Sequence, residues 1–193
     1  MDVKEMQRIV VLVSWLVVSI LFGVLTKMLD FVPFLGDVFT RMGIWVLIAT
    51  CIAAYSQTAM RAAIHTLLFF LGMLTGYYLY SAHLFGVYST NDMKYWGSIA
   101  VVTPFLAVMV WYAKHSRYLA NFLPALPMGV MLNLALGVGL FYFNVNYLEE
   151  LIMYVILCVI FYRNPRQLSI VIILSIMVTG VIELTPLSWF FVF

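Results

Sequence analysis

Of 193 residues, 65% are hydrophobic and only 9% charged, with a mean hydropathy of +1.07. A soluble domain carries about 25% charged residues, and a folded surface of this size cannot hide so much apolar area from water, so a water-soluble fold is excluded. The net charge of +2 rests on few, dispersed basic residues, which excludes a nucleic-acid-binding surface.

Lipid must then be the solvent, and a crossing helix needs about 20 apolar residues for a hydrocarbon core of about 30 Å. Apolar runs fall at 9–26, 38–55, 62–84, 96–113, 119–143, 147–162 and 168–183. Strands exposed to lipid would leave backbone groups unpaired, so the runs are expected to be helices. The expected fold is all-α: one polytopic helical membrane domain over 1–193, with about seven transmembrane helices. The first run is long enough to cross and no small-residue cleavage site follows it, so it reads as a span that also directs insertion. Segment 30–41 is apolar but interrupted by Pro33 and Gly36, and it reads as a piece lying at the outer membrane surface.

Local signals refine the boundaries. Asp37 is placed to cap the second helix and Asn146 the sixth, with Glu149 at the capping-box position. Gly72 and Gly76 in the third run, and Gly129, Asn133 and Gly137 on one face of the fifth, predict close helix approach. Pro104 predicts a kink in the fourth helix, and Pro124 with Pro127 a kink or a loosened first turn in the fifth. The sixth run is short for a full crossing. Asn164-Pro165 forms a tight turn before the seventh.

Orientation follows from lysine and arginine. With a cytoplasmic N-terminus, seven basic residues fall on inside segments and three on outside ones. The positive-inside rule therefore predicts N-in and C-out, in a multi-pass protein of the cell membrane. Asp30, Asp37, Asp92, Glu149, Glu150 and Glu183 all fall on the outer side.

No nucleophile–base pair, phosphate loop or metal-ligand spacing is present, so no catalytic residue, cofactor or metal is assigned. Cys51 and Cys158 stand alone in apolar runs and read as small hydrophobes. Glu149 and Glu150 suit the positive end of a helix. Glu183 differs: it lies about 22 Å along the last helix, within the outer leaflet, where a carboxylate must be paired, protonated or wet. It is the expected charged member of a ligand site, with Trp45, Tyr77 and Tyr78 as aromatic walls and Asn133 as a polar partner. Pro186 would loosen the helix end beside it. Carboxylates among aromatic faces suit a small organic or cationic solute.

The stretches 35–37 and 41–45, Tyr77-Tyr78-Leu79-Tyr80, Trp111-Tyr112-Ala113-Lys114 and Ala125-Leu126-Pro127 resemble an uncharacterised family of small bacterial polytopic membrane proteins, over most of the chain. That resemblance implies no activity and transfers no site residue. In size and hydrophobicity the chain also resembles the substrate-binding subunits of energy-coupling-factor vitamin transporters, which have six spans. The leading expectation is a solute-binding or transport component with an outward-facing aromatic and acidic cavity. An accessory or assembly subunit packing against a membrane protein partner is the alternative, and an intramembrane enzyme ranks third.

Overall fold

Helices form along the apolar runs, and proline, glycine and short polar side chains set their ends. The computed structural model describes residues 3–139, 142–145 and 147–185, and their side chains except at 3–5, 8, 137–139 and 142–145. Helix α1 (Val3–Leu29) is followed by α2 (Pro33–Thr40), which starts on a proline whose φ suits a first helical turn. Helix α3 (Met42–Ala54) departs from α2 at 64°. Asp37 therefore lies inside α2, and Arg41 instead stands at the start of α3.

Helix α4 (Ala59–Phe85) is capped by the Thr58 hydroxyl, which accepts from the Arg61 N–H, and it ends on Gly86 at φ 70°. Helix α5 (Thr90–His115) is capped by the Ser89 hydroxyl and runs through Pro104 without a break. Proline leaves the carbonyl four residues earlier without its usual donor. Here the Thr103 hydroxyl donates to that carbonyl, Ala100 O, at 2.8 Å, and the ladder is repaired.

A 3-10 turn at Leu119–Asn121 precedes α6 (Ala125–Ala135), so of the two outcomes expected beside Pro124 and Pro127 the loosened entry is the one found. The fifth run does not stay helical to 143. Strands β1 (Leu136–Gly139) and β2 (Tyr142–Val145) pair antiparallel instead, Leu136 opposite Val145 and Gly139 opposite Tyr142. Gly137 and Gly139 each disfavour helix by about 1 kcal/mol, while Val138, Tyr142, Phe143 and Val145 favour strand. Gly137 thus leaves the helical face it was expected to share with Gly129 and Asn133. Helix α7 (Leu148–Phe161) follows, then α8 (Pro165–Glu183), capped by Asn164 with Pro165 in its first turn. Asn146 and Pro186 lie outside the described residues.

Helices α1, α4, α5 and α8 are long and apolar enough to cross a membrane, and the bent α2–α3 pair makes a fifth if it counts as one span. Helices α6 and α7 have 11 and 14 residues, about 16 and 21 Å. The chain is thus a helical protein with several membrane-length helices, consistent with a multi-pass membrane protein.

Small residues set the closest contact. A Cβ added at Gly76 would collide with Ile20 O, one at Gly23 with Met73 O, and one at Gly72 would sit 2.7 Å from Ser19 Cβ. Without those side chains, α1 and α4 meet backbone to backbone. Trp45, Phe69, Phe70, Met73 and Ala100 form a core between α3, α4 and α5, with Phe22 of α1 and Phe39 of α2 packed on it. A second core, around Met128, Met131, Leu157, Phe161 and Val171, joins α6, α7 and α8 to Ala53 of α3 and Ala107 of α5. Helix α3 belongs to both.

Candidate functional site

Alternation of the helices brings Asp30, Asp37, Asp92, Glu149, Glu150 and Glu183 to one end of the bundle, where α1, α4, α6 and α8 finish and α5 and α7 begin. Three polar clusters form there. In the first, Lys27 Nζ donates to an Asp30 carboxylate oxygen at 2.8 Å and to the Tyr77 hydroxyl at 3.2 Å. The Tyr77 hydroxyl donates to the same carboxylate oxygen at 3.0 Å. The ammonium also stands 4.7 Å from the centroid of the Tyr77 ring. Charge and hydrogen-bonding capacity are matched within this group, and it ties the end of α1 to α4.

The second cluster centres on Arg41. Its Nη1 donates to Glu150 Oε2 at 3.0 Å and lies 3.5 Å from Glu149 Oε2. Its Nε donates to Asp37 O at 3.1 Å, and the guanidinium sits 4.1 Å from the Tyr147 ring centroid. Glu150 is 2% exposed, so its carboxylate depends on this one cation. The turn geometry makes room for it: a Cβ at Gly43 would lie 2.8 Å from Glu150 Cγ.

The third cluster joins α6 to α8. Asn133 Nδ2 donates to Glu183 Oε2 at 3.3 Å. One turn deeper, the Thr179 hydroxyl donates to Gly129 O at 3.0 Å. Glu183 is exposed, and among the described residues no lysine or arginine pairs with it.

A family model matches residues 3–187, from the first helix of the bundle past the last. The chain belongs to DUF6518, a family of unknown function. No curated protein and no solved structure matches it. The likeness of this DUF6518 chain to energy-coupling-factor subunits thus has no structural counterpart to rest on.

In the DUF6518 chain the five residues expected to form a ligand site fall into two groups. Asn133 and Glu183 are in contact. Trp45, Tyr77 and Tyr78 stand on α3 and α4 instead. Trp45 is 5% exposed, packs its ring on Phe22, Phe39 and Phe69, and donates from Nε1 to Phe39 O at 3.0 Å. Tyr77 is held by Lys27 and Asp30, and Tyr78 packs between Tyr77 and Tyr88. Arg41, Lys27 and Tyr147 were missed as members of polar clusters. For Lys27 a signal existed, since Asp30 follows at i+3. For Arg41 none did, because Glu150 is 109 residues away. Among the described residues no three His, Cys, Asp or Glu side chains gather closely enough to hold a metal ion.

Proposed function

We propose that this chain is a seven-span membrane protein with its N-terminus inside, acting as a solute-binding component that takes an organic cation at its acidic end. The observation that carries this reading is the state of Glu183. Asp30, Glu149 and Glu150 each lie against a cation of the chain itself, Lys27 or Arg41. Among the described residues Asp37, Asp92 and Glu183 have no such cation, and of these Glu183 is the one that ends a membrane-length helix, with the Asn133 amide as its partner. A carboxylate near the end of a membrane helix that lacks an internal cation is a favourable place for an external one. Asn133 holds it in orientation.

Titration of the detergent-solubilised full chain with tetraethylammonium and with choline, followed by calorimetry, tests it. Glu183→Gln should weaken cation binding about tenfold, the loss of one charge-assisted contact, and leave the unfolding temperature within about 2 °C. Cation binding that is absent in the native chain, or equal in the variant, sinks the proposal.

A second reading is favoured by α1. Val10, Val13, Val17, Val18 and Leu21 are exposed along it, and only 17% of its most apolar window is buried. Such a face is suited to seat another membrane helix. An accessory subunit should carry a second chain through purification into native mass spectrometry, whereas a solute-binding component should not need one.

A further inference from the structure

At the end of the bundle opposite Glu183, a cavity of about 340 Å³ is lined by Asn121, Asn164, Arg166, Gln167 and Ile170. That size falls within the roughly 300–1,000 Å³ of small-molecule sites. It lies where the 3-10 turn before α6 meets the start of α8. Gln167 is 4% exposed, and its Nε2 donates to Ala120 O at 2.8 Å. That bond commits the nitrogen and leaves Gln167 Oε1 buried with no donor among the described residues. Exchanging the two amide atoms would set two carbonyl oxygens against each other, so Oε1 remains the unsatisfied atom. Buried amide oxygens nearly always have a donor.

The same wall is electropositive. Arg166 is exposed and pairs with no acid among the described residues. Segments 116–124 and 162–167 contain no acidic residue at all. In the first turn of α8, Pro165 has no N–H, the Gln167 N–H donates to Asn164 Oδ1, and the Leu168 N–H donates to Asn164 O. The Arg166 N–H is left as the first-turn donor that the helix cannot satisfy, at the positive end of its dipole. An anion fits such a place. Ile170 supplies the apolar side.

We propose that this cavity binds a phosphate group with a hydroxyl nearby. The phosphate rests on the Arg166 side chain and N–H, and the hydroxyl donates to Gln167 Oε1. A glycerol-headed phospholipid and a soluble glycerol phosphate share this chemistry. Phosphatidylcholine does not, because its headgroup has a phosphate but no O–H or N–H. The site is separate from Glu183 and stands whether or not a cation binds there.

Native mass spectrometry of the full chain in detergent tests this with phosphatidylglycerol, phosphatidylcholine and glycerol 3-phosphate as probes. Phosphatidylglycerol should bind at least about fivefold more tightly than phosphatidylcholine, the worth of one satisfied buried acceptor. Arg166→Gln should weaken phosphatidylglycerol about tenfold. Gln167→Met keeps the side-chain length, removes the acceptor, and should bring the two lipids to parity. If that buried variant fails to fold, exposed Arg166→Gln still decides the matter. Displacement of the lipid by glycerol 3-phosphate supports a free phosphate as the occupant, and its failure to displace supports the lipid headgroup. Equal affinity for both lipids together with no binding of glycerol 3-phosphate overturns the proposal, as does an Arg166→Gln chain of native affinity.

Discussion

Arg41 serves three elements at once. It begins α3, returns a hydrogen bond to Asp37 O in α2, and neutralises Glu150 at the start of α7. Removing one partner of a buried ion pair leaves the other charge stranded, at about 3–5 kcal/mol. Arg41→Ala should therefore lower stability by about 3 kcal/mol, read as a fall in unfolding temperature in detergent. Adding Glu150→Met to that variant should recover most of the loss, because no charge is then left buried. A single variant as stable as the native chain would remove Arg41 from this role. From the sequence, Glu149 suits a capping-box position and both acids suit the positive end of a helix, and these are local effects. Their actual cation is brought by folding from 109 residues away, and periodicity carries no information about that. The Asn133–Glu183 contact was half legible: Glu183 stood out as a carboxylate within a membrane helix, whereas the direction of the Asn133 face is decided by how α6 packs on α8.

Among the elements, α1 and α4 depend on what is absent from their surfaces. The spacing of Gly72 and Gly76 announced a close approach, and the structure places Ser19 and Gly23 of α1 opposite them. Small residues four apart on each helix let backbones touch, and any side chain at Gly76 must displace Ile20 O. Gly76→Leu should cost about 1–3 kcal/mol or more through overpacking, while Gly97→Ala, which meets nothing within 4 Å, should be neutral or stabilising by up to about 1 kcal/mol. Thermal unfolding of the two variants side by side checks the contrast; equal effects would show that α1 is not clamped there. The hairpin was illegible for a physical reason. Hydropathy scores Leu136 to Val145 as a continuation of a greasy run, whereas two glycines at i and i+2 and a cluster of strand-favouring side chains decide the backbone. Asp37 misled in the opposite way, since a good cap residue sits in mid-helix when a proline four residues earlier starts the helix sooner.

Across the whole molecule, α6 and α7 hold the question of how many times the chain crosses. Both are shorter than about 30 Å of hydrocarbon, and the antiparallel hairpin reverses the chain between them. Counting both or neither leaves the two chain ends on opposite sides, so labelling the ends tests an odd count but not seven against five. The hairpin does better. A two-stranded sheet has open edges, and such edges cannot face lipid tails. In the seven-span arrangement it emerges on the outer side. Gly139→Cys, in a background with Cys51→Ser and Cys158→Ser, should then react with a membrane-impermeant maleimide added outside intact cells. Protection from the outside, with labelling only after permeabilisation, would reduce the crossings to five.

The Lys27–Asp30–Tyr77 group also implies an order of events in time. Tyr77 follows Lys27 by 50 residues, and at about 5–20 residues per second the ribosome needs roughly 3–10 s to supply it. During that interval α1 has no α4 to lie against. Lys27 and Asp30, three residues apart, already neutralise one another, so the first helix can enter the bilayer without a bare charge and wait. Tyr77 arrives later and closes a latch that was electrically prepared before its partner existed.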